Sequence, residues 1–409
     1  MKHRTPLMIA AILVLTLTTS ALADSAHFKT LYSFKGAPDG ETPSALVMDS
    51  LGNIYGTTLH GGGRGKSKCS RQCGTVFQLS LDSNGTWKKK TIYAFKGEAD
   101  GAEPNSLLLS SDGNLYGTAL SGDGDGCGGA GCGTVFRLSP SGTAWTETTI
   151  HRFHGGPDNG GPFSLVQDRF GYLWGGTTGG FFFMCHECKY GPNWTEFPFS
   201  PPTAASSVGP LMVDPTAGII GTTSAGGDLT GDCEPVGGCG TIWASNGGLF
   251  EILFFDNTET GFLPRGPLFK DSDGDFFGVT EAATKAYGTV YQLAPRGRRV
   301  IHRFDYAKGA YPESGVVQDT AGALYGTTAG GGNPACGSGT FGCGVVYKLT
   351  TSKAGGWSET VLHEFTGTSD GSFPGQVIID AAGNLYAPTQ SGGSTNCDGG
   401  CGTIFEVTP

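Results

Sequence analysis

The stretch PSALVMDSLGNIYGTT, Pro43 to Thr58, decides the fold because it returns along the whole chain. Near copies are PNSLLLSSDGNLYGTA, Pro104 to Ala119, and PESGVVQDTAGALYGTT, Pro312 to Thr328. The place held by Tyr55 falls again at Tyr116, Trp174, Ile220, Phe277, Tyr325 and Tyr386, which makes seven units. Their spacing runs from 46 residues (Trp174 to Ile220) to 61 (Tyr55 to Tyr116), close to the range in which repetition means propellers, solenoids or arrays. Inside one unit, apolar Leu46 to Asp49 turns at Ser50-Leu51-Gly52 and returns as Asn53 to Thr58. A Gly- and Cys-rich loop then leads to GTVFQL (Gly74 to Leu79) and KKKTIYAF (Lys88 to Phe95). That is four antiparallel strands per unit, and four-stranded units repeated seven times describe an all-β, seven-bladed β-propeller.

The ends of the chain predict how the ring closes. The last unit supplies Val377 to Asp380, Asn384 to Thr389 and Gly402 to Val407, but no fourth strand. Phe28 to Phe34 (FKTLYSF) matches the fourth-strand copies TIYAF, TIHRF, VIHRF and VLHEF. The N-terminal strand is therefore expected to complete the last blade and leave no free sheet edge.

Composition fits that reading and restricts the partners. Charged residues make up 15% of the chain and glycines number 71, which suits short strands and tight turns; an average domain is about 25% charged. Lys2, His3 and Arg4, the apolar run Leu7 to Leu17 and Ala21-Leu22-Ala23 have the form of an export signal over residues 1–23. The alternative, an uncleaved anchor, would need about 20 apolar residues to span a bilayer. Residues 24–409 would then be a single exported propeller domain, secreted or periplasmic, with no further membrane span. The formal charge of −10 becomes −12 once Lys2 and Arg4 are removed, and repels nucleic acid.

Twelve cysteines form six close pairs: Cys69/Cys73, Cys127/Cys132, Cys185/Cys188, Cys233/Cys239, Cys336/Cys343 and Cys397/Cys401. In an exported chain such pairs read as disulfides that pin long loops. Zinc is the competing reading, but each pair lies in its own repeat without His at ligand spacing. No cofactor is expected.

The pattern P-x-x-L, D-x-x-G-N-L-Y-G-T-T, G-G and G-T-V-F-x-L resembles the GloVer tandem-repeat proteins of bacteria over nearly the whole mature chain. The resemblance implies an exported propeller-like protein and assigns no activity or catalytic residue. Relatives often carry a terminal anchoring segment; with Pro409 directly after the last strand, release is expected instead.

Antiparallel strands place the Cys/Gly loops and the links between blades on one side, so one face carries nearly all the elaboration. Either that face binds something or its Gly-rich loops merely span gaps. Asp39, Asp100, Asp158 and Asp370 each precede Gly or Asn in links into blades one, two, three and seven, which are neighbours in a closed ring. They form either an acidic arc for a cation, an amine or sugar hydroxyls, or plain Asp-Gly turns. Arg265 and Lys308 are expected opposite the arc, in the links into blades five and six. Asp271-Ser272-Asp273-Gly274-Asp275 is either the start of a calcium loop or a hairpin turn. His151, His302 and His363 recur where other repeats have Tyr32 and Tyr93, which indicates packing. In the third repeat GFFFM, Gly180 to Met184, is read as the third strand, which moves Cys185-His186-Glu187-Cys188 into the following turn as either a redox or metal pair or a displaced disulfide.

With no nucleophile turn, zincin helix or distinctive carboxylate pair, the expected role is a non-catalytic binding or scaffold protein, a monomer that takes a glycan or protein ligand. The alternative is an exported lyase or hydrolase using acids such as Asp100 and Asp158 near the central mouth; fold alone does not choose.

Overall fold

The computed structural model describes residues 26–63, 69–122, 126–156, 159–185, 195–198, 209–227, 229–245, 249–255, 260–295, 297–336, 341–352 and 355–409. Residues 1–25, and with them the expected signal, lie outside that set. Seven antiparallel sheets form a ring of seven blades, so the chain is a seven-bladed β-propeller. Blade one consists of strands Glu41–Met48, Ile54–His60, Thr75–Leu81 and Trp87–Ala94. Blade three takes Gly180–Met184 as its third strand, paired with Leu173–Thr177 and Thr195–Pro198. Strand His27–Ser33 pairs with Thr403–Thr408 of the last blade, Phe28 opposite Val407 and Ser33 opposite Thr403, so the N-terminus closes the ring.

Each letter of the repeat has a structural cause. Asp49 organises the turn between the first two strands: its Oδ1 accepts the amides of Leu51 and Asn53, both at 2.9 Å. Its Oδ2 accepts the Asn53 side-chain amide at 2.8 Å and the Tyr55 hydroxyl at 3.3 Å. Asp168, Asp319 and Asp380 repeat this with Trp174, Tyr325 and Tyr386. Asp271 accepts the amides of Asp273 (3.0 Å) and Asp275 (2.9 Å), so the calcium-like segment closes as the same turn. The Gly after Tyr55 makes room for the third strand: a Cβ on Gly56 would sit 2.5 Å from the ring of Phe77. Paired threonines, Thr58 with Thr75 and Thr389 with Thr403, satisfy each other's hydroxyls in the dry interior at 2.8 and 2.9 Å.

Blades are joined by rings and by a backbone latch. The fourth-strand Phe of one blade meets the third-strand aromatic of the next, edge to face, as in Phe95–Phe136 (5.1 Å), Phe304–Tyr347 (5.0 Å) and Phe365–Phe405 (5.1 Å). Edge-to-face pairs of this kind are worth about 0.5–1.5 kcal/mol beyond the area they bury. Phe34 meets Phe77 in the same way at 5.2 Å across the closing seam. The residue before each blade's first Pro is left-handed at Thr42, Glu103, Leu263, Tyr311 and Phe373, with φ between 55° and 59°. Its amide donates across the blade boundary, from Glu103 to the carbonyl of Cys73 at 2.9 Å and from Thr42 to Cys401 at 3.0 Å. Blade five has no Cys, and Tyr287 takes that acceptor place for Tyr311 at 2.7 Å.

Candidate functional site

The inter-blade carboxylates are held by their own turns. Asp39 accepts the Tyr32 hydroxyl (2.8 Å), the Lys35 amide (3.0 Å) and the Lys89 ammonium (2.9 Å). Asp100 is buried and accepts the Tyr93 hydroxyl and the Lys96 amide, both at 2.9 Å. Asp370, equally buried, accepts the Thr366 amide (2.9 Å) and hydroxyl (2.5 Å) and lies 3.1 Å from His363 Nε2. Burial pushes the Asp370 carboxyl up, but the His363 and Thr366 hydrogen bonds outweigh it and hold the group below the usual range. The donor lies seven residues before each Asp, a spacing that was visible in the sequence. Asp158 lies outside the described residues; His151, seven residues before it, packs edge-on against Phe153 at 4.8 Å. His302 Nε2 instead meets Glu359 Oε2 of the next blade at 3.3 Å.

Lys308 occupies the link into blade six as expected, exposed, with its amide donating to Asp305 at 3.0 Å. Arg265 does not sit in a link. It lies within the first strand of blade five, Phe262–Lys270, opposite Val279, because that strand continues past Pro264 with a shift of register. Its guanidinium donates from Nε and Nη2 to Glu281 Oε2 at 2.7 and 2.6 Å.

Five disulfides pin loops on the face shared with the inter-blade links: Cys69–Cys73, Cys127–Cys132, Cys233–Cys239, Cys336–Cys343 and Cys397–Cys401, with Cα separations of 5.0 to 5.6 Å. Cys185 is buried at the end of its strand; Cys188 lies outside the described residues. Two of these loops shape a groove. A 1110 Å³ hollow between the loops of blades six and seven is walled by Phe341 and Phe373 on one side and by Thr368, Ser369, Asn396 and Asp398. Beyond the blade-seven loop, a second hollow of 690 Å³ shares Asn396 and Asp398 and reaches Lys35, Glu41 and Arg71 of blade one. Arg71 and Glu41 form an ion pair at its edge.

The apolar wall is the end of a longer strip. Tyr306, Tyr287, Tyr311, Phe341 and Phe373 touch in series, with centroid separations of 5.1, 5.9, 5.0 and 5.8 Å. Tyr311 and Phe341 are parallel to within 2°. Tyr287 and Phe341 remain more than 40% exposed, so part of this contiguous strip faces solvent. Tyr311 and Phe373 are half-buried and hold the left-handed conformation before Pro312 and Pro374. Their only trace in the sequence was a rise of aromatic residues in the loops of repeats five to seven. Among the described residues, no group of three or more His, Cys, Asp or Glu side chains converges to hold a metal ion.

Solved structures share the fold. The extracellular domain assigned to a hybrid two-component system of B. thetaiotaomicron matches with a TM-score of 0.55 at 12% identity, over 93% of this chain and 41% of that one. PorZ, a surface component of the type-IX secretion system of Porphyromonas gingivalis, matches with 0.51 at 12% identity, over 92% and 47%. The chain thus spans under half the length of both. The PQQ-bound aldose sugar dehydrogenase of Streptomyces coelicolor aligns over 94% and 98% at 13% identity, with a TM-score of 0.46. No curated protein matches the sequence. Residues 16–185 match the model of the Gloeobacter/Verrucomicrobia repeat, in agreement with the repeat pattern that the sequence resembles.

Proposed function

We propose that this is an exported, non-catalytic propeller that binds an extended glycan along the groove over blades six, seven and one. The observation that carries this reading is the aromatic strip running into a hollow whose other side offers hydroxyl, amide and carboxylate groups. A sugar ring has an apolar C–H face and a polar rim, so it needs an aromatic platform beside hydrogen-bond partners, and sites of this mixed kind orient small ligands. The groove crosses two blade boundaries and continues past the loop carrying Asn396 and Asp398, which suits a chain of sugars better than a single one. Disulfides at Cys336–Cys343 and Cys397–Cys401 fix both loops in advance, which lowers the ordering cost of binding. Asp39, Asp100 and Asp370 act here as the frame that holds the loop face, not as its contacts.

The export signal, the disulfides and the extracellular fold relatives all fit a ligand met outside the cytoplasm. The test is a thermal-shift panel of bacterial and plant polysaccharides on the oxidised mature protein. A bound ligand at about 100 times its dissociation constant adds about 2.7 kcal/mol of stability. A saturable shift with the polymer recovered intact supports the proposal. Shortened polymer would establish a lyase or hydrolase instead, and no shift with any glycan would refute glycan recognition.

A further inference from the structure

The residue after each blade's first Pro occupies an equivalent place at the inner end of the blade: Ser44, Asn105, Phe163, Leu211, Arg265, Glu313 and Gly375. In blades one and two it is tied to the next blade, Ser44 Oγ donating to the Pro104 carbonyl at 3.4 Å and Asn105 Nδ2 to that of Pro162 at 3.1 Å. Across blades three to six the repetition is broken. A 300 Å³ cavity opens there, lined by Phe163, Pro210, Pro264, Arg265 and Glu313. Its charges are unequal. Arg265 is committed to Glu281, whereas Glu313 makes no hydrogen bond and no ion pair among the described residues.

We propose that this inner mouth is a binding site for a small organic cation, a primary ammonium such as that of an unacetylated amino sugar, held by Glu313 and packed against Phe163 and the two prolines. Two carboxylates and one guanidinium leave one negative charge for the ligand to neutralise. A ring of Phe163's type also attracts an ammonium over its face. Arg265 beside both carboxylates repels a bare divalent ion, and no third metal ligand is present among the described residues. The groups acting on Glu313 are Glu281 and Arg265. Glu313 is exposed toward the cavity, yet partial desolvation by the surrounding wall and the Glu281 charge raise its carboxyl above the ordinary value, with Arg265 opposing. Ammonium binding requires the ionised carboxylate, so affinity falls on acidification while the pH is still above 4.5, the ordinary value.

The site is separate from the rim groove, and one experiment distinguishes them. Glucosamine, N-acetylglucosamine and glucose are titrated into the oxidised mature protein by calorimetry, with the variants E313Q and F341A alongside. Glucosamine is expected to bind at least 10-fold more tightly than the two neutral sugars, to lose that advantage in E313Q, and to keep it in F341A. Equal binding of all three sugars, full binding by a folded E313Q, loss of binding in F341A, or displacement of glucosamine by millimolar calcium would each overturn the proposal.

Discussion

Replacing Phe34 by Ala tests whether the N-terminal strand is a structural part of the last blade and not a loosely docked tail. Phe34 is fully buried, sits edge-on to Phe77 at 5.2 Å across the closing seam, and packs against Tyr32 at 5.2 Å. A buried Phe truncated to Ala costs about 3–5 kcal/mol through lost transfer energy and the cavity left behind. Phe95 supplies an internal standard: it is 3% exposed and meets Phe136 at 5.1 Å within an uninterrupted part of the ring. If closure is as tight as any other boundary, F34A and F95A should cost the same within about 1 kcal/mol. Leu51→Ala, on a turn tip 86% exposed, should cost under about 0.5 kcal/mol. The assay is equilibrium urea unfolding of the oxidised protein followed by tryptophan fluorescence. An F34A midpoint matching that of L51A, with F95A strongly destabilised, would refute the closed ring.

The Asp39→Asn change removes the charge partner of Lys89, whose side chain is only 3% exposed, and should cost about 3–5 kcal/mol. D39N with K89M should recover most of that loss in the same unfolding assay, and a stable single D39N variant would show that the carboxylate is free for other work. Cys397→Ser with Cys401→Ser opens a four-residue separation and should cost about 2 kcal/mol in the chain-entropy model. That variant should weaken glycan binding while circular dichroism stays unchanged, since its loop borders both hollows. Acidification should destabilise the ring. Asp214, Asp370 and Asp380 are held below the ordinary carboxylate value, their hydrogen bonds outweighing burial. Stability from these groups is complete above about pH 3.9, the value of an unfolded Asp, and is lost as pH falls through their lower folded values. Unfolding midpoints that stay level from pH 5 to pH 2 would contradict this.

The architecture was readable because every repeat carries its own turn and strand instructions. The Asp49-to-Tyr55 step is a local hydrogen-bonded device, so its recurrence at Asp168, Asp319 and Asp380 marked blades before any tertiary contact was known. Phe28 to Phe34 was readable for the same reason: it repeats the fourth-strand pattern. The site was harder to read because its parts are brought together by ring closure. Lys35 and Asp398 share a hollow from opposite ends of the chain, and Tyr287 meets Tyr311 only across a blade boundary. The link carboxylates read either as an acidic arc or as plain turns because Asp-Gly does not name its donor; the residue seven positions earlier reaches the Asp only when the link folds back on its strand. Arg265 looked like a link residue because sequence alone did not reveal that the first strand continues inward beyond Pro264.

The glycan groove itself is tested most directly by the double substitution of Phe341 and Phe373 to Ala, assayed for affinity to whichever polysaccharide stabilises the wild-type protein. Two aromatic contacts at about 0.5–1.5 kcal/mol each amount to about 1–3 kcal/mol, or 5- to 150-fold in dissociation constant. Phe341 is 44% exposed, so the fold should survive its loss. A loss in that range with an unfolding midpoint close to wild type is the expected result. Unchanged affinity in the folded double variant would place the ligand elsewhere and contradict the proposed site.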